Sequence, residues 1–202
     1  MRARTPKPIQ DAADAFDTLP GVGPRAALRY AYWLATQPKD LVRQFAKVIH
    51  AVTEDLQRCR ICGMWSDAPT CSICVDPERD LAILCVVAAT QDIRIIEDAG
   101  IYRGRYHVTN GTIDPIEGRT PDTLNIPSLL QRLSTSPDIR EVILAFDPDL
   151  NGDATSSYLS RQLKNTNLKI SRLARGIQHG AQLEYADGTT ISDALENRRQ
   201  II

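Results

Sequence analysis

Two rhythms of apolar and polar residues run along this chain, with a cysteine-rich stretch between them. From Lys39 to Leu56, the residues Leu41, Val42, Phe45, Val48, Ile49, Val52 and Leu56 recur three or four apart. That spacing is one face of an α-helix and predicts a core-facing helix. Ahead of it lie a short helical stretch around Ala12 to Phe16 and a helix from Pro24 to about Thr36. Beyond residue 80 the rhythm changes. Leu81 to Ala89 is a continuous apolar run ending in small residues, followed by a helix-like Gln91 to Ala99, the signature of a buried strand feeding a helix. Arg105 to Thr109 reads as a second strand, Leu129, Leu130 and Leu133 mark a helix, and Glu141 to Phe146 is a third strand. The helix Ser156 to Lys164 and the strand Lys169 to Leu173 follow. Strands alternating with helices imply a parallel sheet covered by helices, so the fold class is α/β with a helical N-terminal part.

Between the two regimes stand Cys59-Arg60-Ile61-Cys62 and Cys71-Ser72-Ile73-Cys74, separated by Gly63 to Thr70. Each pair can curl two thiolates toward one point, and two such knuckles make the tetrahedral sulfur cage that Zn²⁺ prefers. The interval is short for a zinc ribbon, yet Gly63 and Pro69 allow the chain to reverse. Disulfides and redox chemistry at a single pair are the competing readings. The chain opens without a secretory signal, which favours a reducing cytoplasm, and a duplicated pair argues for a structural metal. With four thiolates zinc has no open position, so His50 reads as structural and not as a fifth ligand. Cys85, inside an apolar run, reads as a small buried hydrophobe.

The stretch Leu19-Pro20-Gly21-Val22-Gly23-Pro24-Arg25 opens the second helix and reads as a helix-hairpin-helix. Gly21 and Gly23 can take positive φ and admit a phosphate to the backbone, and Pro24 suits a first helical turn whose N–H groups point at an anion. Arg25 and Arg29, four apart, share a face and can flank that phosphate. The plainer alternative is a tight αα-turn with solvated arginines. Before it, the arm Met1 to Pro8 carries Arg2, Arg4 and Lys7 without apolar periodicity, and is expected to fray.

Charge sharpens this picture. Over 202 residues the net charge is −1, but residues 1–60 hold 10 Lys+Arg against 6 Asp+Glu, a net +4, leaving −5 for the rest. The asymmetry points to a nucleic-acid-facing N-terminal part and an acidic body suited to a basic partner or a divalent metal. A composition of 43% apolar and 24% charged residues is that of a globular chain, and no apolar run reaches membrane-spanning length.

Candidate chemistry in the second half gathers after the third strand, in Asp147-Pro148-Asp149-Leu150-Asn151-Gly152-Asp153. Open α/β sheets bind ligands at the carboxyl ends of strands, and Asp147 and Asp149 can both aim into that crevice, as a Mg²⁺ pair would require. Gly152 lets the chain swing into the next helix. The long polar segment Asn110 to Asn125 has the length of a functional loop or an interface.

In this order the motifs resemble the RecR family of bacterial recombination mediators. Leu19 to Arg25 resembles its helix-hairpin-helix, the four cysteines its C4 zinc finger, Leu84-Cys85-Val86-Val87 through Thr155 its Toprim domain, and Ser171 to Gly180 with Asp187-Gly188-Thr189-Thr190 its C-terminal region. The resemblance implies four parts: a helix-hairpin-helix DNA-binding domain at 1–58, a zinc finger at 59–74, a Toprim domain at 80–175 and a C-terminal linking segment at 176–202. It further implies a DNA-repair accessory protein that forms a dimer or ring tetramer through its N-terminal helices and its C-terminal segment. The tail ends in Ile201-Ile202, an apolar end that a neighbouring subunit can cover or that can fold back on its own domain. That protein would bind a RecO-like and a RecF-like partner, with acidic residues of the Toprim crevice meeting RecO, and help load RecA onto single strands. The chain departs from the family at Ala88-Ala89-Thr90, where members carry Glu-Ser-Pro after the first strand. In catalytic Toprim enzymes that Glu moves the proton beside the metal ligands. The expected reading is therefore a non-catalytic scaffold with zinc on Cys59, Cys62, Cys71 and Cys74, DNA at Gly21, Gly23, Arg25 and Arg29, and a basic partner at Asp147 and Asp149. The alternative is a Mg²⁺-dependent nuclease or primase-like enzyme using Asp147, Asp149 and Asp153, with Asp92 or Glu97 standing in for the missing Glu.

Overall fold

A computed structural model describes residues 5–200, so the apolar end Ile201-Ile202 lies outside the described residues, and the chain divides into two compact units, 1–56 and 57–202. In the first unit, helices α1 (Lys7–Asp17) and α2 (Pro24–Ala35) pack on each other around Ala13, Ala27 and Ala31, with Ile9, Phe16, Val22 and Leu28 at the margin. Helix α1 begins earlier than its apolar pattern suggests. Pro6 precedes its first turn and Lys7 and Pro8 lie within it, so only residues 1–4 of the expected fraying arm fall outside the described residues. Proline is tolerated there because the first N–H groups of a helix have no intrahelical partner.

Helix α3 (Lys39–Glu54) is where expectation and structure part. Leu41, Phe45, Val48, Ile49 and Val52 line one face as the periodicity requires, yet they are 43–60% exposed and no residue of α3 is buried. The reason is local: α1 and α2 bury their alanine faces against each other, and α3 joins no core cluster among the described residues.

The second unit is built on a four-stranded sheet ordered β4-β3-β5-β6, all parallel: β3 (Asp80–Val87), β4 (Gly104–Val108), β5 (Glu141–Ala145) and β6 (Lys169–Arg172). Its residues alternate faces with period two. Leu84, Val86, Val142 and Leu144 point to one side, where Ile126 and Leu129 of α6 (Ile126–Thr135) and Leu159 of α7 (Leu150–Leu163) cover them. Cys85, Val87, Tyr106, Val108 and Ala145 point to the other, against Ile93 of α5 (Thr90–Asp98). Cys85 is a buried core thiol, as expected, and burial pushes it up to about 12. The C-terminal segment follows β6 with a 3-10 turn, Leu183–Tyr185, and helix α8 (Gly188–Glu196) capped by Asp187.

The long segment after β4 is ordered by hydrogen bonds. Asn110 takes a positive φ of 64°, Asp114 and Arg119 pair across a turn, and the Ile113 N–H donates to Thr155 Oγ1 of α7 at 2.8 Å. Its far end returns beside the strand it left, with the Asn125 N–H on the Thr109 carbonyl at 2.8 Å.

His107 of β4 is fully buried, with Nε2 2.9 Å from the Asn125 carbonyl. The same nitrogen lies 3.2 Å from Asn125 Nδ2, and Nδ1 is buried without a partner. Burial pushes this imidazole down to about 4, opposed by the Asn125 carbonyl and reinforced by the charge of Arg132. A folded value below the ordinary ~6.5 means the unfolded chain takes up a proton that the native chain refuses. Stability is therefore complete above about pH 6.5 and falls as pH drops toward 4, by up to about 3 kcal/mol. Urea midpoints at pH 7 and pH 5 test this: His107→Gln, which keeps a donor for Asn125 but cannot charge, should lose less than the parent. Acid loss of metal affects both proteins alike, so equal losses would refute the assignment to His107.

Candidate metal centre and acidic crevice

The cysteine knuckles belong to the second unit. Strands β1 (Gln57–Arg58) and β2 (Trp65–Ser66) pair antiparallel, and the short helix α4 (Ser72–Val75) carries the second pair. Gly63 turns the first knuckle with φ +78°, a conformation that favours glycine, and a Cβ there would press on Asn125 Nδ2. The Gly63 N–H donates to the Cys59 carbonyl at 2.9 Å and the Cys71 N–H to Cys59 Sγ at 3.3 Å.

All four cysteines are buried and their sulfurs lie within 4.8 Å of one another. Cys62 and Cys71 sulfurs are 3.6 Å apart. A tetrahedron with Zn–S bonds of ~2.3 Å has S–S edges of about 3.8 Å, so the donor set fits zinc in number, softness and size. Burial pushes the Cys59 thiol up, but N–H groups of Cys71, Cys62 and Ile61 outweigh it and bring it down to about 6. Cys62 is driven upward by its contact with the Cys74 sulfur and by burial. Thiols that crowd and share protons in this way are the groups a dication resolves into four thiolates.

The knuckles also dock on the sheet. Met64 and Ile73 pack into the face formed by Cys85, Val87, Tyr106 and Val108, completing the cover begun by α5. The Val108 N–H donates to the Cys62 carbonyl at 2.7 Å, and the Trp65 N–H to Thr90 Oγ1 at 3.1 Å. Arg58 lies over the Trp65 ring at 3.6 Å, a cross-strand cation–π pair. Arg132 of α6 was not singled out by the sequence. Its guanidinium donates to the Tyr106 carbonyl at 2.7 Å and reaches the Ile61 carbonyl at 3.5 Å. Burial pushes it down, while the charges of Cys74, Cys62 and Cys59 pull it back up. Four thiolates around Zn²⁺ leave a net charge of −2, and Arg132 offsets part of it.

At the carboxyl end of the sheet, β5 delivers Asp147, Pro148 and Asp149, all exposed. Helix α7 begins at Leu150, six residues before the sequence places it, because Asp149 is its N-cap: Oδ1 accepts from the Gly152 N–H at 2.6 Å. Gly152 is therefore no swivel. It sits buried in the first helical turn, where a Cβ would overlap the Asp147 carbonyl oxygen. Asp153 is held by the Arg175 guanidinium, with Arg172 at 4.0 Å, and Arg175 keeps its carboxyl below the usual range. Ala88 follows β3 beside this loop, its carbonyl accepting from the Gly111 N–H. Neither stand-in for the missing Glu is free: Asp92 accepts from the Ala89 N–H at 2.8 Å, and Glu97 binds Arg79 at 2.8 Å and the Tyr106 hydroxyl at 2.6 Å. Beside Pro148 a cavity of about 630 Å³ opens toward Arg175, Tyr185, Asp187 and Asp193 of the C-terminal segment.

In the first unit, Gly21 takes φ +77° as expected. Gly23 does not: it is extended, φ −96° and ψ 171°, because it is the N-cap of α2 and must leave the helical region. Arg25 and Arg29 are exposed on α2, and neither has an ion-pair partner among the described residues.

Sheet, crevice and thiolate cage define a Toprim-type protein with a four-cysteine zinc finger, and residues 82–174 match the family model described as Toprim domain. Residues 9–53 match RecR, helix-hairpin-helix; 56–76 match the RecR zinc finger domain of four cysteines; and 179–199 match RecR, C-terminal. The chain belongs to the RecR family, whose members act in DNA repair and recombination. It carries one structural zinc, on Cys59, Cys62, Cys71 and Cys74. No helix among the described residues is long and apolar enough to cross a membrane.

Metal analysis should return one zinc per chain, and Cys59→Ser should lose both the metal and soluble expression. Arg132→Ala should release zinc to a chromogenic chelator faster than the parent, with Arg132→Lys between them. Identical release from all three would remove Arg132 from the metal's surroundings.

Proposed function

We propose that this chain is a non-catalytic, cytoplasmic recombination mediator that works with a RecO-like partner, and with a RecF-like one, to help load RecA on single-stranded DNA. The four parts are its DNA-binding helices, zinc finger, Toprim body and C-terminal linking segment. DNA meets the backbone at Gly21 and Gly23 and the side chains of Arg25 and Arg29. The basic partner meets Asp147 and Asp149.

One observation carries the choice of docking over catalysis. Around the Asp147 loop the neighbouring acids already hold protein groups: Asp153 has Arg175, Asp149 caps Gly152, and Asp92 and Glu97 are engaged elsewhere. Phosphoryl transfer by metal ions needs several free carboxylates converging, with one able to move a proton. A docking patch needs only exposed negative charge, which Asp147 supplies with no side-chain partner among the described residues. Asp147→Asn with Asp149→Asn should weaken capture of the basic partner at least tenfold. Zinc content and DNA affinity should hold, since Asn still caps a helix. Mg²⁺-dependent cleavage or primer synthesis by the parent, abolished in this double variant, would instead make the chain an enzyme.

Phosphate contacts release counterions, so DNA affinity should fall steeply with salt and show no sequence preference. Arg25→Ala with Arg29→Ala should weaken binding and flatten the log–log salt slope by about 2. An unchanged slope would take both arginines off the DNA.

Self-association accounts for the bare face of α3. Phe45, Val48, Ile49 and Val52 form an apolar stripe that a second copy covers, and Leu183, Tyr185 and Leu195 offer a further exposed set in the C-terminal segment. Val48→Glu should lower the mass measured by light scattering. A mass unchanged by this charge would place the contact elsewhere.

A further inference from the structure

Helix α2 carries a feature that phosphate binding leaves unused. At 100° per residue, Arg25, Arg29 and Trp33 form one stripe, directed away from buried Ala27 and Ala31. The stripe is about 12 Å long, from eight steps of ~1.5 Å. Trp33 is 53% exposed and its neighbour Tyr32 is 46% exposed. Helix α2 contains no acidic residue.

Tyr30, the third exposed aromatic, is accounted for: Phe16 meets it edge-on at 6.0 Å and Arg29 lies 5.5 Å from its centroid. Trp33 has neither an aromatic nor a cationic partner among the described residues. A large indole face thus stands in water one turn beyond Arg29 and two beyond Arg25, neither of which has an ion-pair partner among the described residues.

Cations in line with an open aromatic face suit an unpaired nucleic-acid strand, whose phosphates take the cations and whose base takes the ring. Duplex DNA offers the phosphates but keeps its bases stacked on each other. A second copy of this chain fits less well. A two-fold contact centred on the stripe would set Arg25 and Arg29 against their own counterparts, whereas the α3 stripe is uncharged and apolar.

The geometry points to Trp33, with Tyr32 beside it, as a base-stacking platform that gives α2 a preference for single-stranded over duplex DNA. The inference rests on the reading that Arg25 and Arg29 hold phosphate.

The test uses the full chain, fluorescence anisotropy, and labelled oligo(dT) beside a duplex of equal length, each titrated with salt. Trp33→Ala should lose about tenfold in affinity for oligo(dT), the contribution of one stacked base, with duplex affinity and both salt slopes unchanged. Trp33→Phe should recover most of the loss. In a Trp65→Phe background Trp33 is the sole indole, and oligo(dT) should quench its fluorescence where duplex does not. No loss on oligo(dT), an equal loss on both DNA forms, or a changed oligomer mass in Trp33→Ala would overturn the platform. The two readings fail separately. Should Arg25→Ala with Arg29→Ala bind like the parent while Trp33→Ala loses only the single strand, the platform stands and the phosphate reading falls. A parent that binds neither DNA form overturns both.

Discussion

Four sulfurs held within 4.8 Å of one another decide more than the shape of a loop, because the residues between them finish the core. Met64 and Ile73, which stand among the cysteines, pack on the face formed by Val87, Tyr106 and Val108. Helix α5 is a short cover for its face of a four-stranded sheet, and a parallel sheet must be covered on both faces. Zinc thereby becomes part of the hydrophobic core at one remove. Arg132 belongs to the same arrangement from the opposite side: its helix packs on the other face, yet its guanidinium ties β4 to the first knuckle.

The acidic crevice follows from the sheet's topology. Parallel strands deliver their chain ends to one edge, so Ala88 and Asp147 arrive as neighbours from β3 and β5, which pair in register up to Val87 and Ala145. What differs among the carboxylates there is their company. Asp149 caps a helix through Oδ1 while staying exposed, Asp153 pairs with Arg175, and Asp147 has no side-chain partner among the described residues.

Much of this was legible in the sequence because an apolar run is strongly enforced where both faces of a strand are buried. The strands of the sheet and their parallel order fell where the apolar runs placed them, and the cysteine spacing identified the cage. The helix α3 stripe was legible as a stripe but not as exposed, since periodicity reports that a face is apolar and not what covers it. Gly-x-Gly suggests positive φ at Gly23, but Gly-Pro before a helix is also an N-cap signature, and Gly23 takes the extended N-cap form. The early start of α7 was likewise signalled by Asp149 standing three residues before the N–H it caps. Arg132 left no signal, because its role comes from a β-strand carbonyl and a knuckle distant in sequence.

Gly152 carries an evolutionary consequence. With the Asp147 carbonyl oxygen occupying the space a Cβ would need, any side chain at 152 forces the acidic loop to shift with it. The side chains at 147 and 149 reach solvent and can change without that clash, although a residue at 149 must still cap α7. The charge that this turn presents is open to change one residue at a time, while the turn's position is not.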